Sequence, residues 1–326
     1  MNPRVSVNIL TCNGKEFLGD CLNSVLRQSY DNFNVILVDN NSTDGSLDFV
    51  RDNFPEVEVI ALDKNYGYPK GFNIGIKYAL EKYNPDYFFL LNNDIKIVQD
   101  ETIRRLIEIA QNDKETGILG CKLIFPDGRA QIVGGKINLA SRYLFKWMDP
   151  AKEPLQEAYE VDIIIGVALF IKASVINKIG LFDEGFSPVM SEEIDLCMRI
   201  KRSSFLLKIV SSREIMHHLS QYMKRVPSDY MYWINKKNYI RFMLLNAPLY
   251  LIIIGILCEF YWTLKYLTLS VLDKKSKEYG FWPWNLSIDR NWRDKLILYF
   301  SPYFINIKNL REIIWKRAHR TAKLWF

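Results

Sequence analysis

Cysteine is scarce and scattered in this 326-residue chain. Cys12, Cys21, Cys121, Cys197 and Cys258 are odd in number, and no two form a C-x-x-C pair. This excludes a disulfide framework and a structural zinc site and points to reduced, mostly buried thiols. No charged segment followed by an apolar one precedes the strand pattern that begins at Arg4, so no secretory signal is expected and the location expected is the cytoplasm. Long apolar runs are missing as well. The longest unbroken one, Ala247 to Cys258, falls short of the roughly 20 residues that cross a bilayer, and Glu259 and Lys265 interrupt the apolar residues after it. Internal repeats, low-complexity stretches and nucleic-acid-binding motifs are absent, so nucleic acid is not an expected partner. Apolar side chains are plentiful: 49% hydrophobic content suffices for a sizeable core and argues against disorder.

The charge is unevenly placed. From Asp273 onward there are 12 Lys+Arg against 5 Asp+Glu, so the net +6 of the whole chain lies entirely in its tail. Five of the eight tryptophans, Trp282, Trp284, Trp292, Trp315 and Trp325, fall there too. Trp with Lys and Arg is the composition of a surface lying at lipid headgroups. Residues 246–326 are therefore expected to form a helical, membrane-associating extension, peripheral on the inner face of the cell membrane. An ordinary packed helix is the alternative for Leu249 to Leu272.

Residues 1–120 alternate two periods. Val5 to Leu10, Asn34 to Val38, Glu56 to Leu62 and Tyr87 to Leu91 read as strands. Lys15 to Gln28, a segment reaching Phe49 and Gly71 to Lys82 read as helices, because apolar residues such as Phe17, Leu18, Leu22, Val25 and Leu26 recur at helical spacing. Strands alternating with helices predict an α/β fold with a mostly parallel sheet, and ligands of such sheets bind beyond the carboxyl ends of the strands. Three polar clusters sit at those ends: Thr11-Cys12-Asn13, Asp39-Asn40-Asn41 and Asn92-Asn93-Asp94. All three are expected to face one crevice. Pro150 and Pro154, within a charged stretch, mark a loop between the two halves of the catalytic region, and the catalytic domain is expected to span 1–245, with a nucleotide-sugar-binding half over 1–120 and an acceptor-binding half over 121–245.

Each cluster admits a chemical and a plain reading. Asp94 can hold a hard cation, which needs only one or two protein carboxylates when phosphate supplies other oxygens, or it can belong to a turn. Asp39 can bind a base or ribose, or cap the next helix. The loop from Asn65 to Gly75 lacks dinucleotide-fingerprint spacing. With Gly67, Gly71 and Lys70 before a helix it suits a pyrophosphate, or its glycines serve conformation alone. In Phe182-Asp183-Glu184-Gly185-Phe186 and Glu192-Glu193-Ile194-Asp195, carboxylates stand beside the apolar stripe of Ile194, Leu196 and Ile200, and one of them should be a general base whose pKa is raised by enclosure. His217 and His218 end an apolar run and offer imidazole for a metal, or one packs while the other is exposed.

Taken in order, these motifs resemble the family 2 glycosyltransferases, inverting enzymes of the GT-A fold, and among them the rhamnosyltransferase-like branch of surface-polysaccharide assembly. The resemblance runs from Val5 to about Leu245. It rests on Val38 to Ser46, on Asn65, Gly67, Gly71, Asn73 and Gly75, and on Leu91 to Asp94. Further along it rests on Pro126-Asp127-Gly128, Gly166 with Lys172, Phe182 to Glu184, Glu192 to Leu196, and His217. It implies that Thr11, Asn13, Asp39 and Asn40 hold the nucleoside, and that Asn65, Gly67, Lys70, Gly71, Asn73, Asn92 and Asn93 line the diphosphate and sugar. Asp94 with His217 or His218 would bind Mg²⁺ or Mn²⁺. Gly166 and Asp183 would border the acceptor, and Glu193 would be the base, with Glu192 and Asp195 as the other candidates. The family usually has Glu-Asp where this chain has Glu192-Glu193, so the longer side chain must reach. The donor implied is a dTDP- or UDP-sugar, leaning to dTDP-rhamnose, and the acceptor a lipid-linked saccharide. The rivals are a polyprenyl-phosphate sugar transferase, a sugar-phosphate nucleotidyltransferase, which would want a Gly-rich Arg/Lys loop where this chain has Thr11 to Lys15, and a catalytically degenerate membrane-bound scaffold.

Overall fold

A computed structural model describes residues 2–139, 145–218, 227–272 and 292–320. Trp282, Trp284 and Trp325, on which part of the tail expectation rested, lie outside these residues. Contacts divide the chain into two units, 1–138 with 143–220, and 139–142 with 221–326.

The first unit opens with β1 (Val5–Thr11), α1 (Lys15–Leu26), β2 (Phe33–Asp39), α2 (Ser46–Asn53), β3 (Glu58–Ala61), α3 (Tyr68–Tyr83) and β4 (Tyr87–Asn92). It continues with β5 (Ile95–Ile97), α4 (Thr102–Asn112), β6 (Thr116–Ile124), β7 (Ala130–Ile132), β8 (Gly135–Ile137), β9 (Phe145–Trp147) and β10 (Ala158–Val161). The last elements are β11 (Ala168–Lys172), α5 (Ala173–Ile179), α6 (Glu192–Arg202) and β12 (Leu206–His217). The main sheet runs β10-β12-β6-β11-β4-β1-β2-β3, with β5 added to β12 and β7 to β6. Strands β1 to β4 are mutually parallel, and β11 enters antiparallel between β4 and β6.

Successive side chains of a strand point to opposite faces, and β4 obeys this with apolar residues on both sides. Tyr87, Phe89 and Leu91 join Leu18, Leu22, Ile103 and Leu106 in one core, whereas Phe88 and Leu90 join Phe72, Ile76 and Leu196 in the other. The sheet is thus covered by α1 and α4 on one face and by α3, α5 and α6 on the other. Its strand ends stand level: Thr11 pairs with Asp39, Asp39 with Ala61, and Leu10 with Asn92. Strand order reverses beside β1, where a parallel sheet opens a crevice. At that crevice a Cβ on Gly14 would come within 1.6 Å of the Asn93 amide nitrogen, so the Asn93 side chain occupies the room that residue 14 leaves by having no side chain.

The second unit holds α7 (Ser228–Asn246), α8 (Leu249–Leu272), α9 (Trp292–Lys308) and α10 (Leu310–His319). It begins at Gln221, ahead of the expected boundary near 245, because α7 packs with the C-terminal helices. Trp233 donates to Ser301 Oγ at 2.8 Å, Asn306 donates to the Lys237 carbonyl at 3.0 Å, and the buried Arg241 guanidinium meets Glu312 at 2.8 Å. Leu249, Tyr250, Ile253, Ile254, Leu257 and Phe260 leave α8 with an exposed apolar surface. Among the described residues no helix is long and apolar enough to cross a membrane.

Candidate active site

Two buried oxygens lie at the ends of β1 and β2. Thr11 Oγ1 and Asp39 Oδ1 are enclosed without a hydrogen-bond partner among the described residues, while Asp39 Oδ2 accepts from the Ser42 amide at 3.1 Å. Buried polar groups are rarely left unmatched. This pair therefore suits the hydroxyls and ring donors of a nucleoside.

Several neighbouring amides have internal work instead. Asn13 accepts from the Thr43 amide at 2.7 Å and donates its own backbone amide to Ser42 Oγ at 2.9 Å, so it shapes the turn after β2. Asn40 accepts from the Tyr66 amide at 2.8 Å and donates to the Gly67 carbonyl at 3.2 Å, and Asn65 accepts from the Gly67 amide at 2.8 Å. Both side chains brace the loop before α3. Asn73 is buried and clasps the Phe182 backbone on both sides, at 3.0 Å each, with its amide also reaching Glu184 at 3.1 Å. Asn13, Asn40 and Asn73 thus also hold together the loops that frame the crevice. Gly67 has a left-handed φ of 81°, and a Cβ there would lie 2.6 Å from the Pro188 carbonyl oxygen. Gly71 lets α3 press against Leu10, which a Cβ would approach to 2.5 Å. Lys70 stacks its ammonium over Tyr66 at 4.2 Å from the first turn of α3.

Asp94 follows β4 and is brought to His217 by strand pairing, since Ile95 of β5 opposes His217 of β12. His217 Nε2 lies 3.5 Å from Asp94 Oδ2, and both side chains are buried. Nε2 has no hydrogen-bond partner among the described residues, so the pair converges on one point and fits a divalent cation as two ligands. His218 instead donates its backbone amide to the Asp94 carbonyl at 3.0 Å and sets its ring against Phe17 at 5.1 Å. Among the described residues no third His, Cys, Asp or Glu completes a metal cluster, which leaves further coordination to phosphate oxygens and water. Asn92 and Asn93 line the same turn half-buried, with the Asn93 amide 3.5 Å from the Gly14 carbonyl.

The carboxylates of α6 separate by environment. Glu193, in the first turn, has its carboxyl raised by burial to about 7, with backbone amides of the helix start pulling the other way. A Cβ on Gly166 would lie 3.5 Å from Glu193 Cβ and 2.6 Å from the Tyr68 hydroxyl, so the missing side chain lets the Tyr68 hydroxyl reach the Gly166 backbone beside Glu193. Tyr68 donates to the Gly166 carbonyl, and burial, then Glu192 and Glu193, hold its phenol well above the usual range. Asp195 is corrected from candidate base to framework: it is fully buried and accepts from Arg199 Nε at 3.0 Å, while Arg199 also donates to the carbonyls of Ile179 and Leu181 at 2.9 Å. Asp183 is likewise a cap, its carboxylate accepting from Gly185 at 3.0 Å. Glu192 is buried beneath the helix start. Asp195→Ala would strand a buried guanidinium, and urea titration should show a loss of about 3–5 kcal/mol. A loss below about 1 kcal/mol, the scale of an exposed pair, would return Asp195 to the candidate bases.

Tyr68 carries no motif of its own in the sequence, although its place between Gly67 and a helix start is visible there. Gln131, whose Oε1 lies 2.8 Å from His217 Nδ1, carries no sequence signal.

The profile described as Glycosyl transferase family 2 matches residues 6–180, more than half of the chain. A Mycobacterium tuberculosis protein, N-acetylglucosaminyl-diphospho-decaprenol L-rhamnosyltransferase, is 25% identical over 232 residues, covering 63% of this chain and 73% of its own length. The Myxococcus xanthus O-antigen biosynthesis protein RfbC is 25% identical over 228 residues, 67% of this chain, but the chain spans only 17% of that protein. Among solved structures, GalNAc-T7 with UDP, GalNAc and Mn²⁺ superposes with a TM-score of 0.61 at 15% identity, over 98% of this chain and 58% of the other, a likeness of fold. With its mostly parallel GT-A sheet and its strand-end crevice, the chain belongs to glycosyl transferase family 2.

Proposed function

We propose that this chain is an inverting, divalent-cation-dependent glycosyltransferase. In this reading it moves a sugar, rhamnose from dTDP-rhamnose ahead of UDP-sugars, to a hydroxyl of a lipid-linked saccharide in cell-surface polysaccharide synthesis. The observation that carries the reading is Glu193, a carboxyl raised to about 7 at the start of α6, beside Gly166 and Tyr68. A base matched to working pH is deprotonated there yet still takes a proton effectively. Glu193 accepts the proton of the acceptor hydroxyl as its oxygen attacks the anomeric carbon. The bond to the diphosphate breaks on the opposite face, and configuration inverts. Thr11 and Asp39 orient the nucleoside, and Lys70 supplies positive charge toward the diphosphate. Asp94 and His217 would hold Mg²⁺ or Mn²⁺, which when bound neutralises charge on the departing diphosphate.

The rhamnosyltransferase named for a decaprenol-linked sugar supports the donor and acceptor classes, and the Mn²⁺ found with UDP and GalNAc in the GalNAc-T7 structure supports the cation. Purified full-length protein with Mn²⁺ should release nucleoside diphosphate from dTDP-rhamnose faster than from UDP-sugars, and only when a lipid-linked saccharide is present. No turnover of any nucleotide sugar would leave the scaffold reading in its place.

The exposed apolar surface of α8 and the exposed basic residues Lys308 and Arg311 support peripheral attachment to the inner membrane face. Each basic side chain near an anionic surface contributes about 1 kcal/mol, so the chain should float with anionic vesicles and less with neutral ones, and salt should weaken the binding. Equal flotation on both lipids would remove charge from the anchor.

A further inference from the structure

We infer that Gln131 is a positioning residue for His217, fixing the imidazole tautomer that leaves its Nε2 lone pair facing Asp94. The inference rests on the cation reading of that site. Strand β6 ends at Ile124, and Pro126-Asp127-Gly128 turns the chain back. Phe125 donates to the Arg129 carbonyl at 2.8 Å, Gly128 to the Phe125 carbonyl at 2.9 Å, and Gly128 adopts a φ of 84°. The returning β7 does not pair evenly. Leu123 opposes Ile132 and Ile124 opposes Ala130, so Gln131 is the extra residue of a bulge. A bulge re-aims a side chain that regular pairing would have placed elsewhere. Here it sends the amide toward β12, which runs on the other side of β6 with Met216 beside Ile124.

The bulged amide meets one ring atom. Gln131 Oε1 lies 2.8 Å from His217 Nδ1, while Gln131 Nε2 is buried with no hydrogen-bond partner among the described residues. A buried amide satisfied on one side only is a poor stabiliser. Its use therefore lies in what the oxygen does. A neutral imidazole carries one N–H and one lone pair, and an amide oxygen can only accept. Gln131 thus keeps the proton on Nδ1 and the lone pair on Nε2, the atom 3.5 Å from Asp94 Oδ2. Without that acceptor the proton moves to Nε2, where the Asp94 carboxylate attracts it, and the ring no longer offers a lone pair to a cation. Partners of this kind orient metal-binding histidines, and their loss lowers metal affinity about 10- to 100-fold.

The full chain carries only three histidines, so selective ¹⁵N-histidine labelling yields a readable spectrum. Two-bond ¹H–¹⁵N correlations of the metal-free protein, recorded above the pH range of histidine protonation, report the tautomer, with His217→Asn assigning the signal. The expected wild-type result is Nδ1–H on His217. Gln131→Leu should convert it to Nε2–H and weaken Mn²⁺ binding, measured by electron paramagnetic resonance, about 10- to 100-fold. Gln131→Glu retains an acceptor and should keep the Nδ1–H tautomer and bind Mn²⁺ at least as tightly as wild type. If Gln131→Leu does not fold, Gln131→Asn, which retracts the amide by one methylene, should show the same tautomer shift. Nε2–H in the wild type, or an unchanged tautomer in both Gln131→Leu and Gln131→Asn, would overturn the inference. Absence of Mn²⁺ binding by the wild type, with the tautomer shift intact, would instead defeat the cation reading and leave the positioning role standing.

Discussion

Glu193→Gln is expected to lower turnover about 10²- to 10⁴-fold while leaving donor binding nearly unchanged, because the amide keeps the shape of the carboxyl but cannot accept a proton. The pH dependence gives a second signature. The carboxyl is raised by burial to about 7, so the wild-type rate should climb with pH through that value and level off above it, and the residual activity of the variant should lose this limb. Stability should move in the opposite sense. A carboxyl whose folded-state pKa exceeds its unfolded value of about 4.3 binds more protons when folded, so its contribution is complete below that value and is lost as pH rises through about 7. At pH 8 Glu193→Gln should therefore be more stable than wild type. At pH 4 the advantage should vanish. Thermal melts across that range, run beside the rate profile, test both signs with the same two proteins. If Glu192→Gln is the slower enzyme, the proton passes to the neighbouring carboxylate.

The first half of the fold is legible in the sequence because its apolar residues repeat at unambiguous periods. The four parallel strands and three helices up to Asn92 lie within a few residues of where the pattern puts them, and Thr11, Asp39 and Asp94 stand at the strand ends that parallel-sheet topology predicts. The allegiance of each polar side chain is not legible in the same way. Asn40 and Asn73 sit in motifs that carry the family resemblance and Asn13 in a strand-end cluster, yet each has its amide turned to a backbone partner in a loop distant in sequence. Asp195 illustrates the same difficulty at short range. Its partner Arg199 stands four residues on, a spacing that pairs side chains on a helix, but a cluster of five carboxylates points equally to chemistry. Gln131 is beyond reach altogether, since a bulge is a property of two strands and cannot be seen in one.

Asp94→Ala should reduce transfer by roughly 10³-fold or more, on the scale of losing a principal electrostatic stabiliser of developing negative charge. The loss should reach binding as well as turnover. A ligand selective for the folded state stabilises it by about 2.7 kcal/mol at 100 times its dissociation constant, so a nucleoside diphosphate with Mn²⁺ should raise the melting temperature of the wild type clearly above either alone. In Asp94→Ala that synergy should disappear, and the nucleoside diphosphate alone should give the same small shift in both proteins, because Thr11 and Asp39 are untouched. The fold should survive. Asp94 lies just past the end of β4, its carbonyl still accepts the His218 amide at 3.0 Å, and the alanine removes a buried carboxylate whose ion-pair partner among the described residues is His217, charged only when protonated. His217→Ala should act in the same direction but less strongly, since the carboxylate remains to bind the cation. Wild-type synergy in Asp94→Ala would place the cation elsewhere; equal damage from His217→Ala would make the imidazole as necessary as the charge. The order wild type, His217→Ala, Asp94→Ala in Mn²⁺-dependent stabilisation is the result expected of a site built from one carboxylate and one ring nitrogen.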